Sequence, residues 1–309
     1  MQQTIKQSFS LSGICLHSGK ESNIIVHPAP ANTGIKFKRV DLNIPSEQKI
    51  IDTSITNIVS SKLCTSIQNK YFHRVNTIEH LMSAFHGLGV DNALVDIDSD
   101  EVPILDGSSK KYVEKIDQVG LKLLKSQRRF VKILKPLIYG DTDSYIKIMP
   151  SDYLSIDYTI IYSHKLIKEQ NLFYEFFNSN SYKELISSSR TFGFKEEVDI
   201  LRKGGLIKGG SIDNAIVLDS NGLLNKDELR FQDEFVRHKI LDLIGDLFLF
   251  NCSPIGHVEV YCGGHSLTHE LLKMIISDQS NWKYVDKLDL PNSSQTTPLR
   301  SDKEVSAII

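Results

Sequence analysis

The 309-residue chain has no C-x-x-C pair, no block of like charges, no low-complexity tract and no apolar run of membrane-spanning length. Each absence excludes something. Four scattered cysteines, Cys15, Cys64, Cys252 and Cys262, give neither a disulfide framework nor an all-cysteine zinc site, and they suit a reducing compartment. A net charge of −2 supplies no basic field to recruit nucleic acid. The longest apolar run, Leu247–Phe250 with its neighbours, is too short and too charged to cross a bilayer, so no stable membrane insertion is expected. Met1–Leu16 alternates polar and apolar residues without the basic start and apolar stretch of a secretory signal, so a cytoplasmic protein is expected. Gly204–Val217 packs four glycines into seven residues but lacks the Gly-Lys-Ser/Thr order of a phosphate-binding loop. It reads as a flexible substrate-lining loop.

What is present is the patterning of an ordinary globular protein of one large or two medium domains. Thr4–Leu11, Ser22–Pro28 and Gly34–Val40 read as strands. A helix at about Ile78–Gly87 is closed by Gly89, Ala93–Ile97 is a strand, and Ser108–Val119 a second helix. The basic, polar stretch Lys122–Arg129 reads as a linker, which divides the chain into domains at 1–125 and 126–290 with a polar tail at 291–309. In the second unit Phe130–Leu137, Tyr145–Met149 and Ser155–Ile161 are expected strands and Ser181–Ile186 a short helix. A long helix at Asp227–Phe250, a strand at Val258–Tyr261 and a closing helix at Ser266–Ile276 follow. In both halves a His-bearing helix runs into a buried strand, a hint of duplication.

Four segments carry chemistry. On a helical wheel of Phe231–Phe250, Val236, Ile240, Leu243, Ile244 and Leu247 share one face. His238, Asp242, Gly245 and Asp246 share the other, with Lys239 at its edge. The four-residue spacing of His238 and Asp242 lets both reach one point, as a metal site needs, but it equally suits a solvated face with an ion pair. In Asn76–Gly89, Glu79 and His80 point away from an apolar stripe of Ile78, Leu81, Met82 and Phe85. They read either as a base beside a metal ligand or, through Asn76-x-x-Glu79, as a capping box. Gly263-Gly264-His265 lies between a strand and a helix, where the glycines permit a sharp turn and the histidine is an acid or a cap. His257 and His269 read as structural neighbours. His17, His73 and His86 are ambiguous on spacing alone.

Taken together, TIEHLMSAFHGLGVDNALVDID, EVPILDGSS, RTFGF, GLIKGGSIDNAIV, LRFQDEFVRHKILDLIGDLFL and the GGH loop resemble the zinc-dependent UDP-3-O-acyl-N-acetylglucosamine deacetylases of lipid A synthesis. The resemblance runs from Gly13 to about Tyr284. It implies two α+β domains, each a sheet layered against helices, packed helix layer to helix layer with the active site between them. It further implies His80, His238 and Asp242 as metal ligands, Glu79 as general base and His265 as general acid. Thr191 would assist at the oxyanion, Asp246 would orient His265, and Lys239 would contact substrate. Cys64 would lie near the metal without being essential. Phe192, with Phe194 and Ile200–Leu206, would wall the acyl chain. The implied cofactor is Zn2+, with Fe2+ chemically possible at a two-histidine, one-carboxylate site. The implied partner is the small-molecule substrate UDP-3-O-acyl-N-acetylglucosamine, met by a monomer. Ile212, where the family usually has Phe or Leu, and the residues after Lys195 depart from the common pattern, which bears on acyl preference. A sugar-nucleotide or lipid-binding protein with a structural metal, and a zinc hydrolase of another N-acyl sugar, are the competing readings.

Overall fold

The computed structural model describes residues 1–60 and 63–286. The expected tail at 291–309 lies outside the described residues. The chain is mixed α and β, in keeping with the expected α+β class, and two large sheets carry its core. The first has five strands in the order Phe9–Ile14, Glu21–Pro28, Ala93–Ile97, Ile35–Arg39, Ile50–Asp52. Its strands alternate buried and exposed residues, as in Glu21–Pro28, where Ser22, Ile24 and Val26 face inward. The second sheet has seven strands around the long strand Ser253–Tyr261, which pairs with Phe130–Ile133, Tyr145–Met149 and Leu154–Ile161.

Strands Ala93–Ile97 and Tyr145–Met149 fall where alternation predicts them. Two expected strands are each broken in two. Thr4–Leu11 divides into Gln3–Ile5 and Phe9–Ile14. Phe130–Leu137 divides into Phe130–Ile133 and Leu137–Gly140 around Pro136, which has no N–H to donate to a ladder. The segment read as a linker overlaps the strand Leu121–Leu123, which pairs with Gln3–Ile5, and its Arg128 grips Asp91.

Six helices complete the described chain: α1 Glu79–Leu88, α2 Lys110–Val119, α3 Ser179–Leu185, α4 Lys195–Lys203, α5 Glu234–Leu247 and α6 His265–Ser277. Gly89 ends α1 in a left-handed conformation, φ 74°, as a C-terminal glycine should. α5 begins seven residues later than Asp227, because Glu234 is claimed by a buried pair. Its carboxylate accepts from Arg190 Nε at 2.9 Å and from the Arg230 backbone at 2.6 Å, so the preceding segment is held as a turn. The charged run at α4, for which the sequence reading gave no helix, is a nine-residue helix with no buried residue.

The position of the site depends on the contact between α1 and α5. Every residue of α1 is buried, as are twelve of α5, so neither helix has a solvated stripe. Gly245 is what allows the close approach: a Cβ there would lie 2.1 Å from the Glu79 carbonyl oxygen. Two turns further along α1, His86 Nδ1 donates to the Ile244 carbonyl at 3.0 Å. The His86 ring is stacked between Phe176 and Phe248, with centroids 5.1 and 4.9 Å away.

Candidate active site

With the helices this close, His80 on α1 meets His238 and Asp242 on α5. The imidazoles lie edge to face with centroids 5.1 Å apart. His80 Nε2 is 3.4 Å and His238 Nε2 3.3 Å from Asp242 Oδ1. One ligand atom from each of the three residues falls within 4.8 Å of the others. The Ser189 carbonyl accepts from His238 Nδ1 at 3.1 Å, which leaves the Nε2 lone pair facing inward. His80 Nδ1 has no partner among the described residues, so His80 is the less firmly oriented of the two rings.

Asp242 Oδ1 is buried and receives no hydrogen bond among the described residues. A carboxylate oxygen held against two ring nitrogens without a donor is costly unless something positive sits among them. Burial alone would raise the Asp242 carboxyl, but the cationic groups around it, Lys239 and His265 among them, outweigh it and hold it well below the carboxylate range. Burial pushes His238 down to about 3, so its ring is neutral. Two imidazoles and one carboxylate are the donor set of a divalent-cation site with an open position, and these residues fit such an ion.

The remaining residues named from the sequence surround this corner. Glu79 begins α1, yet no capping box forms. Asn76 Oδ1 is taken by Ser66, and Glu79 Oε2 accepts from the Thr65 backbone at 3.0 Å. Burial pushes Glu79 up to about 7, against the lowering effect of His265. His265 is the first residue of α6 and not a loop residue. Gly263 and Gly264 do not supply the left-handed turn; Cys262 does, at φ 49°. Gly263 serves instead to avoid Val260, whose Cγ1 a Cβ would meet at 2.4 Å. His265 Nε2 points between Glu79 Oε1 at 3.8 Å and Asp242 Oδ2 at 3.9 Å. Its Nδ1 donates to Asp246 Oδ2 at 2.7 Å. Burial lowers the His265 pKa, but Asp246, Glu79 and Asp242 outweigh it and raise it to about 10.

A cleft of about 510 Å3 opens above these groups. Lys239 borders it with Nζ 3.5 Å from Asp242 Oδ2 and 5.9 Å from the centre of the Phe192 ring. Thr191 lies at its edge, pinned by its backbone N–H to the Gly107 carbonyl at 2.7 Å. Gly107, at φ 82°, has no room for a side chain, because a Cβ would sit 2.2 Å from the Asn214 carbonyl oxygen. The glycine loop contributes Ile207 and Gly210 to the lining and is anchored on the first half, where Lys208 N–H donates to the His17 carbonyl at 3.1 Å. From α4, Val198 and Leu201 line the cleft; Ile200 is 73 % exposed and turned away, which corrects its assignment to the acyl wall. Cys64 is buried, with Sγ 3.7 Å from Ser66 Oγ.

Sequence reasoning missed two groups here. Thr65 carries no motif signal. His269, read as structural, is buried on α6 with Nε2 2.9 Å from Thr65 Oγ1. Its spacing four residues after His265 was the available clue.

A mixed α and β fold with a buried His80, His238 and Asp242 group that could hold a cation, beside a carboxyl and an imidazole, suits a hydrolase. Comparison with known proteins gives the family. The family model described as LpxC: UDP-3-O-acyl N-acetylglycosamine deacetylase matches residues 2–277, and the chain belongs to that family. It is thus an enzyme that hydrolyses an amide bond. Relatives named UDP-3-O-acyl-N-acetylglucosamine deacetylase include those of Idiomarina loihiensis, 39 % identical over 285 residues, and Colwellia psychrerythraea, 40 % over 286. That of Vibrio parahaemolyticus is 38 % identical over 285 residues. Each match covers 92 % of both chains. No helix among the described residues is long and apolar enough to cross a membrane.

Proposed function

We propose that this chain hydrolyses the acetamide of UDP-3-O-acyl-N-acetylglucosamine to UDP-3-O-acyl-glucosamine and acetate, the committed step of lipid A synthesis. A divalent cation, zinc or ferrous iron, would be held by His80, His238 and Asp242. The observation that carries the reading is Asp242 Oδ1, buried without a donor among the described residues and facing two ring nitrogens at 3.3 and 3.4 Å. The relatives' names supply the substrate. The same reading takes the protein as a cytoplasmic monomer whose two domains divide near residue 125.

When bound, such a cation supplies Lewis acidity to a carbonyl and to a water nucleophile. The chain's own residues do the rest. Glu79 takes the proton of the attacking water; at about 7, its pKa matches the task of a base near neutral pH. The water oxygen bonds to the acetyl carbon, the carbon–nitrogen bond breaks, and His265 delivers its Nε2 proton to the departing amine. Asp246, hydrogen-bonded at Nδ1, keeps that imidazole charged and aimed. Thr191 offers a hydroxyl to the developing oxyanion, a donor of a kind worth about 3–4 kcal/mol. Lys239 suits a diphosphate or sugar oxygen, and Phe192 with Leu201 suits the acyl chain.

The test is acetate release from UDP-3-O-acyl-N-acetylglucosamine together with metal content. About one equivalent of divalent cation, with turnover abolished by a chelator and restored by zinc or ferrous iron, is expected. Turnover unaffected by complete metal removal, or no acetate from the metal-loaded protein, would overturn it.

A further inference from the structure

One buried residue touches both halves of the acid–base apparatus. Thr65, fully buried, has Oγ1 2.5 Å from Asp246 Oδ1, 3.1 Å from His265 Nδ1 and 2.9 Å from His269 Nε2. Its backbone N–H donates to Glu79 Oε2 at 3.0 Å. We propose that Thr65 and His269 are positioning residues, which extend the Asp246–His265 pair into the chain His269–Thr65–Asp246–His265 and tie it to Glu79. The inference rests on the roles given to Glu79 and His265 above.

Donor counting fixes the direction of this chain. An ionised carboxylate only accepts, and a threonine hydroxyl has one proton. Two acceptors cannot sit 2.5 Å apart, so that proton goes to Asp246 Oδ1. With its proton committed, Thr65 Oγ1 can only accept from His269, whose Nε2 must therefore carry hydrogen. Burial also pushes His269 below its ordinary value, so a neutral Nε2–H ring is the form that fits. Both Asp246 oxygens are then occupied, Oδ1 by Thr65 and Oδ2 by His265 Nδ1. The carboxylate is held in one plane, and the His265 ring with it. Asp246, His265 and His269 also have ligand atoms within 4.8 Å of one another, but these atoms are already bonded among themselves and to Thr65, unlike Asp242 Oδ1.

Thr65→Val removes the hydroxyl and keeps the backbone N–H that holds Glu79. It should lower kcat about 10–100-fold, the usual cost of an orienting partner, with KM changed less than about 2-fold and metal content intact. Thr65→Ser should restore most of the loss. His269→Gln, which keeps an N–H near the position of Nε2, should stay within about 3-fold of wild type, while His269→Leu should fall about 10-fold. Nitrogen-15 NMR of the wild-type side chains supplies a readout that does not depend on turnover or on variant folding: His269 should be neutral with hydrogen on Nε2. Wild-type kcat in Thr65→Val, or an Nδ1–H His269 in the wild type, would overturn the proposal. If wild type released no acetate, the functional reading would fail, and the NMR result would still decide whether this chain exists.

Discussion

Two buried corners of one site, a few ångströms apart, treat polar atoms in opposite ways. Around Asp246, every acceptor is matched: Thr65, His265 and His269 saturate one another. Around Asp242, Oδ1 faces two ring nitrogens and has no donor among the described residues. The first corner is complete as protein; the second has the donor set that a cation would complete. On the proposed reading, orientation and charge are built by separate means, one by hydrogen bonds and the other by metal coordination.

The largest predicted effect separates the two corners by chemistry. Glu79→Ala should lower kcat by about 10²–10⁴-fold while retaining the cation, whereas Asp242→Ala should lose both. Metal analysis beside kinetics reads the split; loss of metal in Glu79→Ala would merge the corners. Gly245→Ala strikes both at once. Its Cβ, 2.1 Å from the Glu79 carbonyl oxygen, must push α1 from α5, destabilising the fold by about 1–3 kcal/mol and lowering metal affinity, measurable by denaturation and metal titration.

The pH–rate profile sharpens the division further. Turnover should rise as Glu79, at about 7, loses its proton and fall as His265, at about 10, loses its own; a bound cation would move both limbs down. His265→Gln should abolish the alkaline limb, and an unchanged limb would remove His265 from the acid's role. His86 provides a pH effect with no part in the chemistry. Burial lowers it from 6.5 to about 4, so the unfolded chain binds a proton that the folded chain refuses between those values. Stability should therefore fall as pH drops below about 6.5, by about 3 kcal/mol at pH 4, and His86→Phe should flatten that slope in chemical denaturation. The smallest contrast is on α4: Leu201→Ser should raise KM for the acylated substrate, and Ile200→Ser, at an exposed position, should leave it within about 2-fold.

Much of the frame was legible because short-range periodicity carries it. Ala93–Ile97, Tyr145–Met149 and the end of α1 at Gly89 follow from alternation and capping. The start of α5 was not legible, since Arg190, 44 residues away, claims Glu234. Nor was α4, whose residues are charged and unburied and so lack an apolar stripe. In the site, the His238–Asp242 pairing could be read from helical spacing, while the capping-box alternative for Glu79 could be dismissed only once Thr65 was seen to hold its carboxylate. Thr65 carried no signal, and its link to His269 was hidden for the same reason, being made across 204 residues.

The amino-acid order alone determined which side chains share a helix face, where most strands lie, and the family to which the chain is similar, because these depend on neighbours a few positions apart. Only the tertiary structure decided that two helices meet across Gly245 closely enough to leave a carboxylate oxygen, beside two imidazoles, with no donor among the described residues. That outcome depends on which distant groups pack together, and spacing along the chain does not encode it.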